Sequence, residues 1–225
     1  MKPAEKQIPE SPSMSEDLVL RQEENCVVTL TLNRPKQFNA LSEAMLTNLQ
    51  QELDSIANNE TLRLVILQGA GKVFCAGHDL KEMIANRKEE YYQTLFLQCS
   101  KMMMTLNQMP QPIIAKVHGI ATAAGCQLVA ACDLAVAAEG TQFATSGINV
   151  GLFCSTPAVP VSRNISRKRA MELLLTGDFI DADKALNWGL LNRVAPLDKL
   201  AEETQKLADA ILSKSSVAVF TGKKM

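Results

Sequence analysis

Residues 74–81 read Phe74-Cys75-Ala76-Gly77-His78-Asp79-Leu80-Lys81, and residues 119–133 read GIATAAGCQLVAACD. Each stretch leaves an apolar, strand-like run and opens into a helix-like one, so each sets free backbone N–H groups at the mouth of an element. Two such donors aimed at one point make a hole for an oxyanion.

Outward from these loops, strands and helices alternate. Residues 26–32 (CVVTLTL) alternate β-branched with other residues and stop at Asn33-Arg34-Pro35, a strand running into a turn. Ser42 reads as the cap of a helix carrying Met45, Leu46, Leu49, Leu53, Ile56 and Ala57 at helical spacing, with Glu43 suiting the dipole. Residues 64–68 (LVILQ) are wholly apolar apart from Gln68, the pattern of a strand buried on both faces. A helical region is expected over 80–106, with Leu95, Cys99, Met102, Met103 and Leu106 on one side, stopped by Pro110-Gln111-Pro112. Beyond it the pattern predicts a strand at 112–117, a helix at 124–131, a strand at 134–138 and a loop. Short helices at 167–176 and 182–188 follow, ended by Gly177 and Gly189, then an extended stretch at 190–194 and an amphipathic one at 200–212. This alternation argues an α/β fold. Periodicity alone does not separate a spiral of β-β-α units from a doubly wound sheet.

The 225 residues suffice for one domain with a proper core, expected over 18–225. Residues 1–17 mix both charges with prolines and carry no apolar stretch, so they read as a disordered tail and as neither a signal peptide nor an Arg-rich transit peptide. The net charge of -1 and 4% aromatics argue against nucleic acid as a partner. No apolar run is long enough to span a bilayer; the longest weakly polar one, 119–132, is broken by Gln127. Six cysteines without a Cys-x-x-Cys, and only His78 and His118 to join them, favour small buried hydrophobes in a reducing compartment over metal or disulfides. The expected setting is cytoplasmic, or the mitochondrial matrix if a presequence has been removed. Gly69-Ala70-Gly71-Lys72 is no phosphate loop, because Ile66 stands where the first glycine belongs and Val73 where Ser/Thr does.

The order AGHDLKE, VHGIATAAGCQ, FATSGINVGL and LLLTGDFIDADKALNWGLLNRV resembles the enoyl-CoA hydratase/isomerase (crotonase) superfamily over residues 18–225. The resemblance implies an α/β crotonase spiral of β-β-α units and an acyl-CoA thioester as substrate, with no cofactor or metal. It also implies a homotrimer or homohexamer, with family members running some way past the last residue here. In that family the backbone N–H of the residue between the glycine and aspartate of Gly-x-Asp, here His78, is one oxyanion donor. Ala124, 46 positions on, is the other. Ala40, Ala76, His78, Asp79, Leu80, Lys81 and Ala124 would then line the substrate, with Lys36 and Lys81 towards the phosphates or adenosine. Asp79 also reads as an acceptor for local N–H groups, the His78 and His118 side chains as packed residues, and the Met102–Met104 run as core or as a flexible wall for an acyl chain.

One departure is chemical. The family's hydratases carry two glutamates twenty positions apart that position and activate water; here those positions hold Gln127 and Gly147, and neither can trade a proton at neutral pH. Gly147 is expected to hold a backbone angle that glutamate dislikes. Thr145 and Ser155 are weak polar candidates nearby, Ser155 with Cys154 beside it but without a histidine–carboxylate pair to activate either. The expected function is therefore an enoyl-CoA hydratase/isomerase-like enzyme of acyl metabolism with ordinary hydration in doubt. The alternatives are a non-catalytic acyl-CoA-binding or regulatory protein, and an acyl-CoA thioesterase.

Overall fold

The computed structural model describes residues 17–225, so the expected tail at 1–17 lies, but for Asp17, outside the described residues. The elements run β1 (Val19–Glu24), β2 (Val27–Leu32), α1 (Glu43–Ala57), β3 (Leu64–Gly69), α2 (Leu80–Ala85), α3 (Glu89–Gln108), β4 (Ile113–Val117), β5 (Ile120–Thr122) and α4 (Ala124–Ala131). They continue with β6 (Leu134–Ala138), β7 (Gln142–Ala144), α5 (Ser155–Asn164), α6 (Arg167–Thr176), β8 (Ile180–Asp181), α7 (Ala182–Trp188), β9 (Arg193–Ala195), α8 (Leu200–Leu212) and α9 (Ser216–Lys224).

Six strands form one sheet in the order β1-β2-β3-β4-β6-β9, parallel except for β1. A small second sheet holds β5, β7 and β8. The units β4–β5–α4 and β6–β7–α5 each send their first strand to the large sheet and their second to the small one, which is the repeated β-β-α spiral that the resemblance implied. A doubly wound sheet is thereby excluded. The wholly apolar β3 is buried because both faces are covered: Val65 and Leu67 join the main core, whereas Leu64 and Ile66 pack with Ile114 and Val136 under Leu200 and Ala208 of α8.

Local chemistry explains most boundaries. Ser42 accepts from Met45 N at 3.2 Å and starts α1, whose Met45, Leu46, Leu49, Leu53 and Ile56 are buried. Gly177 and Gly189, both left-handed, end α6 and α7. The expected single helix over 80–106 is instead two. Asn86 and Lys88 leave helical geometry, and α3 begins afresh with Glu89 and Glu90 in its first turn. Lys223 of α9 ties the end of the chain to this frame, donating to Leu106 O, Gln111 O and, at 2.6 Å, Asp133 Oδ2. The cysteines are free thiols, buried except for Cys26.

Candidate functional site

Three loops converge at the start of α4. Asn39, fully buried and left-handed (φ 54°), donates through Nδ2 to Ala70 O, Val73 O and Phe74 O and accepts from Arg34 N, which fastens the turn after β2 to the loop after β3. Cys75 pairs with Ala121 of β5, and Leu41 with His78, as single parallel bridges. Two glycines let these segments lie flat on one another. A Cβ on Gly77 (φ 92°) would sit 2.9 Å from Ala123 Cβ and 3.1 Å from Ala124 N, and one on Gly125 would strike Cys75 O.

This packing places His78 and Ala124 on the wall of one cavity. The Leu41–His78 bridge uses Leu41 N to Gly77 O (2.8 Å) and Asp79 N to Leu41 O (3.3 Å), leaving His78 N free. Ala124 is the first residue of its helix, so its N–H has no intrahelical acceptor. Neither N–H donates to any group among the described residues. Both residues line a cavity of about 380 Å³ together with Ala76, Leu80, Gly147 and Ser155 from the predicted set.

Ala123, just before α4, holds φ 51° and ψ -120°, a region that essentially only glycine visits without strain. Its N–H bonds Ala144 O at 2.9 Å, which holds this strained residue directly before the first N–H of α4. Ala123→Gly should therefore raise stability by about 1 kcal/mol, strain relief outweighing the added freedom of the unfolded chain. Urea unfolding checks it: a higher midpoint at unchanged slope is expected, and a lower midpoint contradicts the strain.

The remaining predicted residues fall on either side of this cavity. Asp79 caps α2, accepting from Lys81 N and Glu82 N through Oδ1, while Oδ2 receives both Arg34 guanidinium nitrogens at 3.1 Å. Its carboxylate is thus fully engaged in holding the loop. The Ala40 carbonyl accepts from Arg34 at 3.0 Å, and Lys36 and Lys81 are exposed. Thr145 is fully buried and donates to Leu173 O at 2.8 Å, which ties α6 to the loop after β7. Its hydroxyl does not line the cavity. Gln127 is buried, accepts from Thr156 Oγ1 at 3.2 Å and lines a neighbouring cavity rather than this one. The Gly147 backbone angle needs correcting, because its φ is not positive. The obstacle to a side chain is contact: a Cβ would lie 2.5 Å from Leu152 O and 2.8 Å from Cys154 Sγ.

Electrostatically the cavity is quiet. Its titratable side chains among the described residues are His78 and Cys154. Burial pushes the His78 imidazole below its usual pKa, partly opposed by the nearby Leu41 carbonyl, and burial pushes the Cys154 thiol up. Both are neutral at pH 7. The His78 ring packs edge-on to Phe96, centroids 5.5 Å apart, and neither of its nitrogens has a hydrogen-bond partner. His118 lies apart, with Nε2 2.8 Å from Gly71 O. Met83, Phe96, Val150, Leu152 and Phe153 complete the wall; sequence reasoning missed them, and the apolar run after Asn149 was the one available signal. Among the described residues no group of three or more metal-ligating side chains occurs, and no helix is long and apolar enough to cross a membrane.

Comparison with known proteins agrees with this fold. Residues 22–225 match the family model described as enoyl-CoA hydratase/isomerase. The chain is 44% identical to rat enoyl-CoA hydratase domain-containing protein 3, mitochondrial, over 96% of this chain and 72% of that protein. To its human counterpart it is 48% identical over 86% of this chain and 64% of that one, so it spans about two thirds of these relatives' length. Among solved structures, an enoyl-CoA hydratase of Mycobacterium smegmatis superposes with a TM-score of 0.91 at 55% identity, covering 92% of this chain and 81% of that one. Human enoyl-CoA hydratase domain-containing protein 3 gives 0.88 at 45% over the same shares. The chain belongs to the enoyl-CoA hydratase/isomerase family of acyl-CoA-processing enzymes and has the crotonase fold.

Proposed function

We propose that this chain binds an acyl-CoA with its thioester oxygen between the N–H groups of His78 and Ala124, and that the pair stabilises the oxyanion or enolate that forms there. The reading is supported by two residues of one cavity lining, His78 and Ala124, whose backbone N–H groups bond nothing among the described residues. A fixed donor pair in an apolar cavity meets developing charge without reorganising, and losing one donor from such a site costs about 2.7–4 kcal/mol of transition-state stabilisation. Ala76 and Leu80 flank the thioester. The apolar wall of Met83, Phe96 and Leu152 receives the acyl group.

Ordinary hydration needs a carboxylate pair to place and deprotonate water, and the family positions for that pair hold Gln127 and Gly147. The chemistry best supported is therefore enolate or oxyanion stabilisation with little water addition. The same two residues favour a second reading, an acyl-CoA binder without turnover. Ser155 lines the cavity at the first turn of α5, but no carboxylate-oriented histidine stands ready to activate it, which disfavours a thioesterase.

A panel of enoyl-, 3-hydroxyacyl- and saturated acyl-CoA thioesters separates these readings by product analysis. Slow conversion of the enoyl- and 3-hydroxyacyl-CoA at the acyl chain is expected, with the saturated thioester unchanged. Release of free coenzyme A would instead mark a thioesterase, and saturable binding with no product a binder.

A further inference from the structure

Two cavities draw their walls from the same three helices and share Thr156. The first, at the paired N–H groups, is walled by Phe96 of α3, by the start of α4 and by Thr156 and Pro157 of α5. The second, of about 470 Å³, continues further along each helix, reaching Asn107 on α3, Ala131 on α4 and Asn164 on α5. From Phe96 to Asn107 the shared wall rises roughly 16 Å. Thr156 lines both spaces, and its Oγ1 donates to Gln127 Oε1 at 3.2 Å.

Taking the acyl-CoA reading above as its basis, we propose that the Gln127–Thr156 pair is a gate for acyl chain length. The substrates are acyl-CoA thioesters whose chains outrun the first cavity and pass this pair into the second. A carboxylate at position 127 would be held to chemistry at the thioester, but an amide with no proton to trade is free to serve as a partition. A neutral side-chain hydrogen bond contributes little net stability, so burying a few methylene groups beyond it compensates for opening it. On the far side the lining is mixed: Met103 and Met104 of α3 with Val159 and Pro160 of α5 offer an apolar strip for the tail, beside the polar Asp133 and Arg163, and methionine side chains repack readily around a flexible chain.

Calorimetry on the full chain with butyryl-CoA and lauroyl-CoA tests this. The wild type should bind lauroyl-CoA more tightly than butyryl-CoA. Met104 is half exposed and lines only the second cavity, so Met104→Trp narrows that space without disturbing the core. It should weaken lauroyl-CoA about tenfold, the effect of roughly two lost buried methylenes, and leave butyryl-CoA within about twofold. Thr156→Val, which removes the hydrogen bond at nearly constant volume, should raise the preference for lauroyl-CoA over butyryl-CoA. Butyryl-CoA binding with no gain for lauroyl-CoA, or both variants shifting the two ligands alike, would overturn the gate and leave the acyl-CoA reading standing. Failure of the wild type to bind either thioester would overturn both.

Discussion

Crotonyl-CoA should be hydrated by this chain at least about 10³-fold more slowly than by a hydratase carrying both glutamates, because each well-placed acid or base contributes roughly 10² to 10⁴ in rate. Among the described residues no replacement stands in the cavity. Gln127 is buried, hydrogen-bonded to Thr156 and turned to the second cavity, Gly147 has no side chain, and the His78 imidazole and Cys154 thiol are held neutral by burial. Gln127→Glu alone should raise the rate only slightly, since Thr156 holds the oxygen at that place and the side chain lines the second cavity rather than the first. Gly147→Glu is another matter. Its Cβ meets a backbone carbonyl at 2.5 Å, so the loop must move, at a cost of about 1–3 kcal/mol in stability. The double variant should exceed either single only where that loop yields, because the two groups would act on one water. Stopped-flow assays on the wild type, both singles and the double check this sequence. Brisk hydration by the unaltered chain contradicts it and assigns proton transfer to a residue still unrecognised.

A comparably large effect is expected from deleting one backbone donor. His78→Pro removes the N–H that bonds nothing in the free protein, while the flanking bonds of the Leu41 bridge, from Leu41 N and to Leu41 O, belong to Gly77 and Asp79 and survive. His78→Ala keeps the donor and loses only the ring packed on Phe96. Acetoacetyl-CoA is the informative ligand, since its enolate carries the charge that the two donors would meet. A hydrogen bond to a charged group contributes about 1.5–3 kcal/mol, so calorimetry should show roughly 10- to 100-fold weaker binding for His78→Pro and little change for His78→Ala. Circular dichroism confirms that each variant keeps its fold. Equal losses for both would mean that the side chain, not the backbone, holds the ligand.

The long buried elements were legible in the sequence because one physical signal dominates each of them. β3 announces itself by an unbroken apolar run, α1 by a capping serine and a stripe of leucines, α6 and α7 by terminal glycines. What escaped depends on partners that are remote in sequence. β1 (VLRQEE) is an edge strand whose exposed face carries Leu20, Gln22 and Glu24 while Val19 alternates with Arg21 and Glu23, so it shows no apolar alternation and is recognised only through its pairing with β2. The short β5, β7 and β8 hold two or three residues each and exist because they meet one another. α5 contains Pro157 and Pro160, which argued for a loop; the first sits in the opening turn, where its missing N–H costs nothing. The region over 80–106 hid its break because Asn86, Arg87 and Lys88 disrupt helix by conformation rather than by proline or glycine.

The candidate site was legible only where its loops are written locally. The two donor loops could be placed from their glycines and the helix that each precedes, because such turns are written locally. Which cavity Gln127 lines depends on its packing against Thr156, 29 positions away on a helix the sequence did not reveal. The role of Asp79 likewise depends on Arg34, 45 positions earlier. Thr145 looked available and is consumed by Leu173 O. Polar residues advertise their chemistry in a sequence, but their commitments to each other are set by packing.

A crystal structure with acetoacetyl-CoA bound tests the central claim most directly. The thioester oxygen is predicted to lie about 2.7–3.1 Å from both His78 N and Ala124 N, with the acyl group against Phe96. A seated coenzyme A whose thioester oxygen lies beyond hydrogen-bond reach of either nitrogen would contradict the account.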